Sequence, residues 1–244
     1  MEQYLHTTAW VKDRRQPIVK WLGIAIGVIA LTAVGWWFFS SRSKSAAELM
    51  AKAMAAHQAI VQNPLPPLSS GQVAFKTEDE KHREAYKAFT EAANEYPSYN
   101  GDTGRYFAAI HQLHFEADKA EATLKEIAQK DSEVGAQARM ALAQRYEAVG
   151  KNDDAIAEYQ KLKAKPGSIP AALIDLSMAR VYESMGKTKE AADLYFAIAS
   201  NKDVRTSEVG AAAIERLAAI APEKVDQLPP PEPRFPGAGS LPIN

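Results

Sequence analysis

Two stretches decide the fold: residues 136–167, AQARMALAQRYEAVGKNDDAIAEYQKLKAKPG, and residues 172–203, ALIDLSMARVYESMGKTKEAADLYFAIASNKD. At an offset of 36 residues, Ala143 falls on Ala179, Tyr146 on Tyr182, Glu147 on Glu183, Gly150 on Gly186 and Lys151 on Lys187. Farther along, Ala155 falls on Ala191 and Tyr159 on Tyr195. The alanines are small where one helix of a pair must approach the other, and each tyrosine fills the space one turn later. The glycines end the first helix where a left-handed residue is cheapest. Alanine, leucine, glutamate and lysine recur at helical spacing after residue 44, without strand-like alternation, so the fold class is all-α.

Working outward, Ala120 stands 35 residues before Ala155, with Leu124 and Ile127 on its face. Ala85 stands 35 residues before Ala120 and is followed by Phe89, Ala92 and the helix-ending Pro97. The first helix of that pair is expected at 45–62, displaced by an insertion at 63–76 that carries Pro64, Pro66 and Pro67. The count is four helix pairs, two clear and two degenerate, with 207–219, SEVGAAAIERLAA, as a closing helix. Gly101-Asp102-Thr103-Gly104 reads as the loop that opens the Tyr106 helix. Phe115 stands where that unit's turn glycine belongs, which predicts a shorter or bent hairpin.

The small–large alternation resembles the tetratricopeptide repeat, whose unit is an antiparallel helix pair of about 34 residues. The expected architecture is a tetratricopeptide-like helical-repeat solenoid over 45–221. The inner wall of such an array comes mainly from the first helix of each pair. That alignment puts Arg105, Gln112, Gln137, Met140, Gln144, Glu147, Leu173, Arg180 and Glu183 on a candidate protein-binding groove. Mixed polar and apolar groups there suit an extended peptide or a partner helix.

The N-terminal part has a different composition. From Trp21 to Phe39 the chain reads WLGIAIGVIALTAVGWWFF, without a charge. Nineteen helical residues rise about 28 Å, close to a hydrocarbon core of roughly 30 Å. All four tryptophans lie at or before residue 37, with Trp21 at one end of the run and Trp36 and Trp37 at the other, as interfacial indoles do. A cleavable signal peptide would have a shorter apolar core ending in small residues, not in Trp-Trp-Phe-Phe. The expectation is a single transmembrane anchor at 18–41 after an N-terminal segment at 1–17. Gly23 and Gly27, with Ala30 on the same face, would let a second helix approach closely. Lys12, Arg14, Arg15 and Lys20 precede the run, and Arg42, Lys44 and Lys52 follow it. This four-to-three bias favours a cytoplasmic N-terminus and a translocated repeat domain.

Composition narrows the chemistry. The chain has 244 residues, 29 Lys+Arg against 30 Asp+Glu, and no cysteine. Disulfides, a cysteine nucleophile and thiolate metal sites are excluded. Residues 1–44 hold six of the basic residues and only Glu2 and Asp13 of the acidic ones. The rest of the chain is therefore acidic, which argues against nucleic acid as a partner. His111 and His114 are three apart on a helix, but no H-E-x-x-H accompanies them, and no metal site is assigned. Phosphate-loop, dinucleotide and nucleophile-elbow motifs are missing. The reading is not an enzyme, with no cofactor and no small-molecule substrate. Residues 222–244 include seven prolines and read as an extended, non-helical, proline-rich tail.

A short N-terminal segment, an anchor ending in Gly35-Trp36 and a degenerate repeat array together resemble the membrane-anchored family of ancillary Sec translocon subunits. The likeness spans about residues 15–220. It implies a single-pass protein of the bacterial inner membrane, its repeats in the periplasm beside the export channel and a periplasmic foldase. The alternative is a structural accessory subunit of a large membrane-embedded energy-converting or transport complex.

Overall fold

The computed structural model describes residues 31–32, 34, 36–37, 40–67 and 72–230. The chain divides into two compact units, residues 1–111 and 112–244.

In the first unit, residues 40–57 form α1, and the described residues from 31 to 37 are helical as well. Next comes β1 (Ile60–Val61), which pairs in parallel with β2 (Ala74–Phe75), Ile60 opposite Ala74. Helix α2 (Glu78–Glu95) starts where the Thr77 side chain accepts a hydrogen bond from the Glu80 amide, with three acidic residues in its first turn. Helix α3 (Pro97–Gln112) follows, its last residue opening the second unit. The core joins Ala53 and Ala56 of α1, Ala85 and Phe89 of α2 and Ala108 of α3, with Phe75 of β2 packed against it. Asn100 ties α3 to α1 by donating to the Ala46 carbonyl at 2.8 Å.

The second unit runs through α4 (Ala117–Ala128), α5 (Glu133–Ala148), α6 (Asn152–Ala164), α7 (Ala171–Ser184) and α8 (Thr188–Ser200). The short α9 (Lys202–Arg205), α10 (Glu208–Ile220) and the short α11 (Pro222–Val225) complete it. Each of α4 to α8 packs on the next in sequence, and α10 packs on α8. The two hairpins, α5–α6 and α7–α8, have matching turns. Lys151 N–H donates to the Tyr146 carbonyl and Lys187 N–H to the Tyr182 carbonyl, both at 2.9 Å. Gly150 and Gly186 sit at φ +73° and +71°, the left-handed conformation that this helix ending requires. The lysine ammonium of each turn then lies 5.8 Å from the tyrosine ring of the same turn.

The mostly helical fold agrees with the all-α expectation. Several local expectations need correction. Gly101 to Gly104 is not a loop but lies inside α3. There a Cβ on Gly104 would come within 2.9 Å of the Ala93 Cβ and the Phe89 carbonyl oxygen, so the glycine lets α3 close on α2. The helix expected at 45–62 ends at residue 57, and the insertion after it is closed by the β1–β2 pair. Residues 222–244 are not wholly extended. Pro222 opens α11, and Val225 and Leu228 pack on the last hydrophobic cluster. Arg205 donates to the Pro229 carbonyl and Lys224 pairs with Asp193, which fixes the root of the proline-rich segment. Residues 231–244 lie outside the described residues, as do 1–17 and most of the expected anchor at 18–41, including Gly23, Gly27 and Ala30. Among the described residues no helix is long and apolar enough to cross a membrane.

Candidate interaction surface

The side chains assigned to a groove fall into three groups. On α5, Gln137 and Met140 are half-buried and Gln144 is exposed; on α7, Leu173 is half-buried and Arg180 exposed. These five leave polar and apolar atoms open to a ligand. Their positions match at the 36-residue offset, Gln137 with Leu173 and Gln144 with Arg180. Met140 has no such counterpart, because Leu176 at the equivalent position is buried in the core.

Glu147 and Glu183 form the second group, and their carboxylates are already engaged. The Tyr159 hydroxyl donates to Glu147 Oε2 at 3.2 Å, and the Tyr195 hydroxyl donates to Glu183 Oε2 at 2.9 Å. Both tyrosines are fully buried. Burial, followed by the adjacent carboxylate, pushes both hydroxyls up to about 12, so they stay protonated donors. Each bond latches the second helix of a hairpin to the last turn of the first. Arg216 of α10 also pairs with Glu183, holding its carboxyl below the usual carboxylate range. A third latch of the same chemistry runs from the Tyr146 hydroxyl to Glu121 Oε1 on α4 at 3.1 Å.

The remaining two sit elsewhere. Gln112 is 6% exposed and donates to Glu116 Oε2 at 2.8 Å, so it does not face a ligand; burial removes it from the groove. Arg105 is half-buried on α3 and belongs to the first unit.

Helices α4, α5 and α6 also enclose a recess of about 350 Å³, lined by Lys125, Ala128, Gln129, Arg139, Leu142, Glu158 and Lys161. Two of its cations are compensated locally: Lys125 pairs with Glu121 at 2.7 Å, and Lys161 with Glu158 at 2.7 Å.

The first unit holds a cluster that sequence reasoning missed. His57 of α1, His82 of α2 and His111 of α3 form a chain of imidazoles. His57 Nδ1 lies 3.0 Å from His111 Nε2, and His82 Nδ1 lies 2.9 Å from His111 Nδ1. Phe89 stacks on Phe107 at 5.0 Å and on His111 at 5.9 Å. A neutral imidazole donates through one nitrogen and accepts through the other. Three neutral rings can therefore satisfy both contacts with all the N–H groups oriented one way along the chain. One added proton is also accommodated, for example on His111 as a double donor. A second added proton sets two donors against each other and breaks a contact. Because His111 turns a different nitrogen to each neighbour, the three rings do not converge on a point. Among the described residues no group of three or more His, Cys, Asp or Glu is arranged to hold a metal ion. His114, paired in sequence with His111, is exposed and belongs to the second unit.

A second missed signal lies in the chain itself. Residues 132–136 and 207–211 are both SEVGA. In each, the serine side chain caps its helix by accepting from the glycine amide, Gly135 at 3.1 Å and Gly210 at 3.3 Å. A Cβ on either glycine would collide with a preceding carbonyl, of Lys130 or of Val204. Helix α10 thus begins as α5 does, like the first helix of a further pair. Searches of the chain against family models, curated proteins and solved structures find no match.

Proposed function

We propose that this chain is a membrane-tethered, non-catalytic protein-interaction module. In this reading a tetratricopeptide-like solenoid follows a single N-terminal transmembrane helix, with the N-terminus cytoplasmic and the repeats in the periplasm of a bacterial inner membrane. Its partners are proteins of the export or periplasmic folding machinery. The observation that carries the reading is the repeated hairpin: α5–α6 and α7–α8 share their turn geometry and their Tyr–Glu latch while leaving Gln144 and Arg180 exposed at equivalent positions. Residues spent on latching are thereby separated from residues left to bind. The tether is supported by Leu31, Val34, Trp36 and Trp37, which are 62–75% exposed on helical backbone. Exposed apolar side chains this close together call for a nonaqueous neighbour.

Gentle detergent extraction, native-gel separation and mass spectrometry of comigrating proteins test the proposal. The expected outcome is the export channel and a periplasmic foldase at substoichiometric levels, lost when Gln144 and Arg180 are both changed to Glu. A second reading, a structural accessory subunit of a large membrane complex, is favoured by the fixed root of the proline-rich segment at Leu228 and Pro229. It predicts comigration at fixed stoichiometry that depends on residues 231–244 and not on Gln144 or Arg180.

A further inference from the structure

Where α1 meets the end of α2, the first unit contains a recess of about 490 Å³ lined by Trp37, Ser41, Arg42, Ser45, Glu95 and Tyr96. Its size lies within the range of ligand pockets, about 300–1,000 Å³. Its two sides carry opposite charge. Arg42 supplies a guanidinium whose centre lies 5.6 Å from the Tyr96 ring centroid, and Ser41 adds a hydroxyl on the same helix, while the Ser45 hydroxyl donates to the Ser41 carbonyl at 3.3 Å. Glu95 supplies a carboxylate as the last residue of α2, and that helix has no basic residue in its last turn. The carbonyl end of a helix carries partial negative charge, so this pole favours a cation. Immediately before the recess in sequence, Leu31, Val34 and Trp36 are exposed on the helix, as is Trp37 at its edge.

We propose that this recess binds the headgroup of a zwitterionic phospholipid, specifically phosphoethanolamine. Arg42 takes the phosphate, with the Ser41 hydroxyl as a further donor, because a guanidinium suits the paired oxygens of a phosphate. Glu95 and the α2 carbonyl end take the primary ammonium. Trp37 and Tyr96 sit where amphipathic rings favour the water–hydrocarbon boundary. An anionic headgroup without an amine could meet Arg42 but would bring uncompensated negative charge against Glu95. The inference rests on the membrane tether proposed above, since only a chain held at the bilayer presents this recess at headgroup level.

The test uses the full-length chain and two readouts. Flotation with vesicles of phosphatidylethanolamine and phosphatidylglycerol reports the tether. Native mass spectrometry of the detergent-purified chain, offered the two lipids at equal concentration, reports the site. Wild type is expected to float and to retain phosphatidylethanolamine about tenfold over phosphatidylglycerol, about 1.4 kcal/mol of selectivity. R42Q is expected to lose both adducts, whereas E95Q loses the preference but keeps phosphatidylglycerol. Displacement of the lipid by millimolar glycerophosphoethanolamine would assign the affinity to the headgroup alone; resistance to it would add the acyl chains. Flotation with equal retention of the two lipids, or with a preference unchanged in E95Q, overturns the site and leaves the tether standing. Failure to float overturns the tether and the site with it. Unchanged helical circular dichroism in both variants excludes misfolding as the cause of either loss.

Discussion

The two units solve the same problem, joining helices into a core, by different means. In the second unit the solution is repeated: small alanines at the crossings, a buried tyrosine latched to a glutamate twelve residues earlier, and a glycine turn. In the first unit it is used once. Phe89, Phe107 and three histidines from three helices pack together, and Gly104 lets α3 reach α2. A repeated device spreads stability over equivalent sites, each of modest weight. A single aromatic cluster concentrates it, so the same kind of substitution should cost more there.

Phe89→Ala gives the largest expected effect. Phe89 is fully buried and touches both Phe107 and His111, so its loss opens a cavity at the centre of the cluster. Removing a buried aromatic costs about 3–5 kcal/mol. Hydrogen exchange followed by mass spectrometry should show α2 and α3 losing protection. Protection within one half-unit of the wild-type logarithmic scale would mean that the cluster is not the keystone of its unit. Next in size, Gly150→Ala and Gly186→Ala each place a Cβ at a positive φ, which costs about 1–2 kcal/mol. No atom lies within 4 Å of the added Cβ at either site, so the cost is backbone strain alone. The two variants should lower the urea midpoint by the same amount. Unequal losses would show that the two hairpins are less alike in energy than in geometry.

The same contrast explains what could be read from the sequence. Alignment at a fixed offset exposes a device used twice, so Gly150 and Gly186, Tyr159 and Tyr195 are legible in the sequence itself. His57, His82 and His111 come from three helices, 54 and 29 residues apart in their contacts, and no periodicity links them. Gly101 and Gly104 suggested a loop because glycine is costly in a helix. Their helical setting is a tertiary matter, decided at Gly104 by the surface of α2. Val225 and Leu228 were apolar signals among the prolines that marked the packed root of that segment. The candidate groove reads from the sequence as a set of positions on α5 and α7, with Arg105 and Gln112 on α3. Which of its members are spent internally, such as Glu147 and Gln112, depends on partners that only the folded chain supplies.

The latches offer a finer comparison. Tyr159→Phe and Tyr195→Phe each delete one hydroxyl and keep the ring. A hydrogen bond to a charged group contributes about 1.5–3 kcal/mol when buried, less where the carboxylate can turn to water. Glu183 keeps Arg216 as a partner after the tyrosine is cut, whereas no such cation is paired with Glu147 among the ion pairs described. Tyr159→Phe should therefore be the more destabilising of the two, by about 0.5 kcal/mol, the scale of an exposed ion pair. Equal losses would mean that the Arg216 pair contributes nothing to the latch.

The smallest effect is a dependence on pH confined to the histidine cluster. Burial, and then the nearby Lys81 charge, holds His57 below its ordinary value of 6.5. His111 of α3 lies against it and the Lys81 charge of α2 acts on it, while His82 of α2, on the far side of His111, has its Nε2 3.9 Å from Glu78 Oε2. Above pH 6.5 the ring is neutral whether folded or not, and it leaves stability unchanged. As the pH falls below 6.5, the unfolded chain takes up a proton on His57 before the folded chain does, and stability declines until the folded ring titrates too. Thermal unfolding between pH 7.5 and 5 should therefore show the midpoint falling with acid, and His57→Gln should flatten that fall. A His57→Gln profile parallel to wild type would show that His57 does not carry the acid sensitivity of this window. Glu183, which Arg216 holds below the usual carboxylate range, would lose its contribution only at more acid pH, below about 4.5 and outside this window.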